Sequence, residues 1–95
     1  MFTVLLKFAE NRAKAPDFME GHKAWIKQGF DDGVFLMVGS LQPNMGGAIL
    51  AHGMTRDALE TFVNADPFVV EGIVDAEILE ITPARVNPQL EFLMA

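Results

Sequence analysis

The sequence predicts an α+β domain of ferredoxin-like βαββαβ topology, a four-stranded antiparallel sheet with two helices on one face. Three observations lead there. Apolar residues alternate with a period of two near the start of the chain, two later segments repeat at helical spacing, and the elements follow in the order strand, helix, strand, strand, helix, strand. A length of 95 residues leaves room for one core. The expected organisation is a single domain over residues 1–95, with its core in 1–82 and a tail in 83–95.

The first strand is read from Phe2-Thr3-Val4-Leu5-Leu6-Lys7-Phe8, which puts Phe2, Val4, Leu6 and Phe8 on one face. Pro16 and Asp17 suit the first turn of a helix, where proline gives up no needed donor and a carboxylate favours the positive end of the dipole. Phe18, His22, Trp25, Ile26, Gly29 and Phe30 then form its apolar side, with Glu20, Lys23 and Lys27 elsewhere. Asp31-Asp32-Gly33 ends the helix, glycine being able to take a positive φ there. Residues 34–41 read as a second strand, residues 43–47 as a connection and residues 48–52 as a third strand. Thr55 is a good N-cap for a second helix whose Leu59, Phe62, Val63 and Asp66 share a face, and Pro67 stops it. A last strand covers residues 73–82, and Pro83 and Pro88 open an irregular tail ending in apolar residues.

Strand two is apolar at odd and even positions alike, so both its faces need a cover. Helices account for one face. Covering the other by a second copy predicts a homodimer, with assembly beyond a dimer left open. Composition sets further bounds: 51% apolar and 21% charged residues suit a folded chain, and a formal charge of −6 without a basic cluster argues against nucleic acid as a partner. Zero cysteines exclude disulfides and thiolate chemistry, which fits a cytoplasmic location. The opening apolar stretch lacks the basic leader of a signal segment, and no run reaches the length of about 18 apolar residues that reads as a membrane span, so a soluble protein is expected.

Two polar residues sit where apolar ones would be ordinary. His22 lies on the stripe of helix one and Asp66 on that of helix two. Side by side on one sheet face, they would form a dyad: a carboxylate holding one ring nitrogen leaves the other to move a proton. Each has a simpler role. His22 would serve as a satisfied boundary residue, and Asp66 would cap a short helical turn from Pro67. Both roles fit if one carboxylate oxygen accepts a backbone N–H and the other an imidazole N–H. Ser40, beside a glycine-rich loop, offers a hydroxyl to a ligand, and Trp25 and Phe68 are aromatic candidates for a pocket around the dyad. His52 lacks a partner at metal-ligand spacing, so no metal is expected.

These residues also resemble the YciI-like (YCII-related) proteins, small members of the dimeric α+β barrel group. The likeness rests on the opening strand, on His22 followed by Asp31-Asp32-Gly33 and Gly39-Ser40-Leu41, and above all on Ala65-Asp66-Pro67-Phe68-Val69-Val70-Glu71-Gly72. It implies a dimeric α+β barrel, a site built on His22 and Asp66, and, from one branch of the family, elimination of HCl from chlorinated hydroxyquinols. Two departures bear on substrate contacts: Met19 stands where many relatives carry arginine, and Gly39-Ser40 where many show Gly-Pro. The function expected is a cofactor-independent lyase or isomerase acting on a small, partly apolar molecule, aromatic ones included, with His22 as proton shuttle and Asp66 orienting it. The alternatives are a non-catalytic ligand-binding or assembly module and a cofactor-free oxygenase of the same group.

Overall fold

The computed structural model describes residues 1–94. Strands β1 (Phe2–Phe8), β2 (Phe35–Leu41), β3 (Gly46–Ala51) and β4 (Val74–Glu80) form one antiparallel sheet in the order β2-β3-β1-β4. Helices α1 (Ala15–Asp31) and α2 (Arg56–Asn64), with the single turn α3 (Pro67–Val70), pack on it. Phe2, Val4 and Leu6 of β1 point into the core, as their alternation requires, and the register sets Ile49 beside Val4 and Gly47 beside Leu6. Val4, Ile49, Leu59 and Ile73 are fully buried at the centre.

The expected architecture is corrected in two respects. The sheet is not closed into a barrel: it is open, with β2 and β4 as its edges. Closure takes about eight strands before the interior is wide enough for side chains to fill, and four cannot make that ring. Nor are there only two helices. The Asp66-Pro67 break starts α3 as a separate turn, and 3-10 turns at Arg12–Lys14 and Pro88–Met94 add to α1 and α2.

Element boundaries shift for local reasons. Val34 is not yet strand because its N–H donates to Gly29 O and finishes the end of α1, where Gly33 takes φ 73°. Gly46 and Gly47 belong to β3 and not to a connection, since they pair with Leu41 and Ser40 on one side and Lys7 and Leu6 on the other. β4 ends at Glu80, two residues earlier than expected. Strand β2 is not covered on both faces: Phe35 is buried, whereas Met37 and Val38 are 48% and 38% exposed. α1 covers only the Phe35 end of this edge strand, and the uncovered end helps to form a cavity.

The two longer helices are locked by aromatic packing. Trp25 Nε1 donates to Phe62 O at 2.9 Å, tying α1 to α2, and its ring stacks on Phe62 and meets Phe35 edge-on, both at 5.2 Å between centroids. Phe35 approaches α1 closely because residue 29 is glycine, where a Cβ would lie 2.3 Å from the Phe35 ring. Thr55 caps α2 as its sequence position suggests, accepting from Ala58 N–H at 3.2 Å.

Candidate functional site

Asp66 lies outside α2, which stops at Asn64, and is the N-cap of α3, with Pro67 in the first turn. Its Oδ1 accepts the Phe68 N–H at 3.0 Å. The same oxygen accepts from His22 Nδ1 at 2.8 Å. Capping and pairing therefore coexist, but on one oxygen and not on two. Oδ2 is buried with no hydrogen-bond partner among the described residues, in a residue that is 0% exposed. A carboxylate oxygen can only accept, so Nδ1 is the donor of the pair and Nε2 is the ring nitrogen left free.

The pair forms because α1 and α3 meet closely: a Cβ on Gly21 would be only 3.1 Å from Pro67 Cγ, so a larger residue there would press the two elements apart. Phe68 contributes twice. Its N–H holds the carboxylate, and its ring lies parallel to the His22 imidazole, 1° between planes and 3.9 Å between centroids. Hydrogen bond and stacking together fix the orientation of a ring whose side chain is still 14% exposed. Behind α3, the Asn11 N–H donates to Gly72 O at 3.0 Å and Asn11 Nδ2 to Glu71 O at 2.9 Å, anchoring the exit of the turn that carries Asp66 and Phe68.

His22 opens onto a cavity of about 340 Å³ between α1 and the sheet. Leu6, Phe8, Val38, Ser40, Gly47 and Val74 line its strand side, with Gly39 and Gly46, and Phe68 of α3 also lines it. From α1 come Met19, His22, Lys23 and Ile26, an i, i+3, i+4, i+7 stripe. Of the residues expected at the site, His22, Ser40 and Phe68 line this cavity and Asp66 supports it from beneath. Trp25 does not line it; its ring lies 5.9 Å from the His22 ring, inside the aromatic core. Met19 contributes a thioether to the α1 side of the cavity.

Lys23 and Gly47 were not expected here. The signal for Lys23 was present, because residues 19, 22, 23 and 26 keep helical spacing, but a charged residue beside the apolar stripe reads as solvated. No such signal existed for Gly47, which becomes a wall only once β1 and β2 pair on either side of it. Among the described residues, Lys23 is the only one lining the cavity with a fixed charge. Among the described residues it forms no salt bridge, whereas Lys27, one turn on, is paired with Asp31 at 2.6 Å, and that hydrogen bond raises the Lys27 pKa.

Comparison with known proteins agrees with this architecture. A dehydrochlorinase of Burkholderia phenoliruptrix that acts on 5-chloro-2-hydroxyhydroquinone, solved in complex with 2,5-dihydroxybenzoquinone, superposes with a TM-score of 0.68 over 85% of this chain and 93% of its own. At 14% identity the likeness is one of fold. No curated protein sequence matches the chain. Residues 1–83 match the model of the YCII-related domain, which spans the sheet, the three α-helices, His22 and Asp66; the chain belongs to the YCII-related domain family.

Proposed function

We propose that this chain is a cofactor-independent lyase that removes HCl, or an equivalent acid, from a small hydroxylated ring, with His22 moving the proton and Asp66 orienting it. The single observation that carries the reading is the His22 Nδ1 to Asp66 Oδ1 hydrogen bond of 2.8 Å at the wall of a cavity about 340 Å³ in size. That volume lies at the small end of ligand pockets and suits one ring. Neutral His22 takes a proton from a ring hydroxyl at Nε2, and the oxygen's electron pair moves into the ring. The imidazolium returns the proton to the chlorine-bearing carbon. Chloride then leaves with its bonding pair as a second hydroxyl loses its proton, so a chlorinated hydroquinone becomes a quinone plus HCl. The step needs no external oxidant. The fold likeness to a dehydrochlorinase supports this choice among proton-transfer reactions.

The test is chloride release from 5-chloro-2-hydroxyhydroquinone. Positioned general acid–base groups contribute about 10²- to 10⁴-fold, so His22→Asn should lose at least about 100-fold in kcat/KM while its circular dichroism and melting stay near wild type. A non-catalytic binding module is the second reading. It is favoured by the structural duty of Asp66 Oδ1 as the cap of α3. Undiminished turnover in folded His22→Asn protein would put that reading first.

We further propose that the chain works as a homodimer. The sheet face opposite the helices carries Leu5, Ala48 and Leu50, none of them fully exposed, next to Met37 and Leu79, which are 48% and 44% exposed. Sedimentation equilibrium at micromolar concentration should return twice the mass of 10.5 kDa. A clean monomer there would refute the proposal.

A further inference from the structure

Charge is distributed unevenly around the cavity. The chain as a whole carries −6, yet among the described residues the one fixed charge on the cavity wall is the cation of Lys23. Lys23 itself is solvent-exposed, and most other wall residues are apolar side chains or glycine backbone, which offer its ammonium no anionic partner in competition with a ligand. A second cation stands close by: the Arg12 guanidinium lies over the ring of Phe8, itself a wall residue, at 4.0 Å from the centroid. Beneath His22, the Asp66 carboxylate is fully enclosed and engaged by two N–H groups. An ammonium that has no salt-bridge partner among the described residues, on a largely apolar wall that also carries the His22 ring, is complementary to a ring with one negatively charged oxygen.

We infer that Lys23 is a substrate-contacting residue that selects single-ring anions, carboxylates or acidic phenolates, by binding the anionic oxygen while the ring lies against the apolar wall. This deepens the proposed function by naming the substrate class of the same cavity. It also assigns Lys23 a part in turnover. When His22 removes a proton from a hydroxyl of the bound anion, further negative charge grows on the ring, and an ammonium already in place stabilises that charge more than it stabilised the starting anion. Met19, one turn before Lys23 on the same stripe, is neutral, so the recognition rests on position 23.

The probes are benzoate and its neutral isostere benzamide, followed through the amide signals of Gly39, Gly46 and Gly47 on the cavity wall. Wild-type protein at low ionic strength should bind benzoate about tenfold more tightly than benzamide, the scale of one charge-assisted contact. Lys23→Met should abolish the preference with benzamide binding unchanged, Lys23→Arg should retain it, and about 0.5 M salt should erode it. Equal affinities in the wild type, a preference that survives in Lys23→Met, or no benzoate binding at millimolar concentration would each overturn the inference. His22→Asn separates the two ideas. A preference kept in that variant supports the Lys23 assignment whether or not chloride release is lost, whereas unimpaired chloride release overturns only the lyase reading.

Discussion

At the scale of the residue, Asp66 has the largest consequences. One oxygen caps α3 and orients His22, so a single substitution removes a helix cap and a charge-assisted hydrogen bond together. Asp66→Ala is expected to lose roughly 2–4 kcal/mol of unfolding free energy in urea titration, the sum of an ordinary cap and a hydrogen bond to a charged group. Asp66→Asn should be milder in structure yet informative at His22. The amide oxygen can still accept from Nδ1–H and from the Phe68 N–H, but an amide nitrogen then occupies the enclosed place of Oδ2. Imidazole nitrogen NMR should show an altered His22 tautomer balance in that variant, with the His52 ring signals unchanged. An unaltered His22 would mean that the two groups are not coupled.

Among the elements, β3 and α1 decide whether there is a cavity. Gly46 and Gly47 are adjacent and similar in sequence, but they differ in what they tolerate. Gly46 takes φ 130°, and a Cβ there would lie 1.9 Å from the Leu6 carbonyl oxygen, inside the β1–β3 ladder. Gly46→Ala should therefore cost more than about 2 kcal/mol in thermal or urea unfolding. At Gly47 the nearest atom to an added Cβ is Gly39 O at 3.4 Å, an ordinary contact. Gly47→Val should stay within about 1 kcal/mol of wild type, since valine suits a strand. Its side chain would occupy the cavity beside Leu6 and Ser40, so chloride release should fall by at least about tenfold with the fold intact. Loss of stability instead of activity in Gly47→Val would show that this wall is packed and not empty.

The whole molecule separates into a structural unit and a peripheral tail. The family match covers residues 1–83, and the 3-10 segment Pro88–Met94 contains no buried residue. Its visible tie to the body is the edge-on contact of Phe92 with His52, 5.2 Å between centroids, and Phe92 remains 47% exposed. Truncation after residue 87 should change unfolding free energy by less than about 1 kcal/mol and leave chloride release unaltered. A large loss of activity would assign the tail to the site. None of the described helices is long and apolar enough to cross a membrane.

By itself the sequence determined the local elements and the two residues of interest. Alternation in β1, the Pro16 and Thr55 helix starts, the Gly33 exit and the Asp66-Pro67 cap all depend on neighbours within a turn or two of the chain, so their physics is written locally. His22 and Asp66 stood out because each is polar where burial favours an apolar side chain. Tertiary structure alone decided the rest. The open sheet, the separate α3 and the exposed end of β2 depend on how many strands can pair and how far α1 reaches across them. The sharing of Oδ1 by two donors, the displacement of Trp25 into the core and the appearance of Lys23 and Gly47 on the cavity wall arise from contacts between residues distant in the chain. Spacing along a helix restricts which side chains share a face, but the surface opposite that face is set by packing.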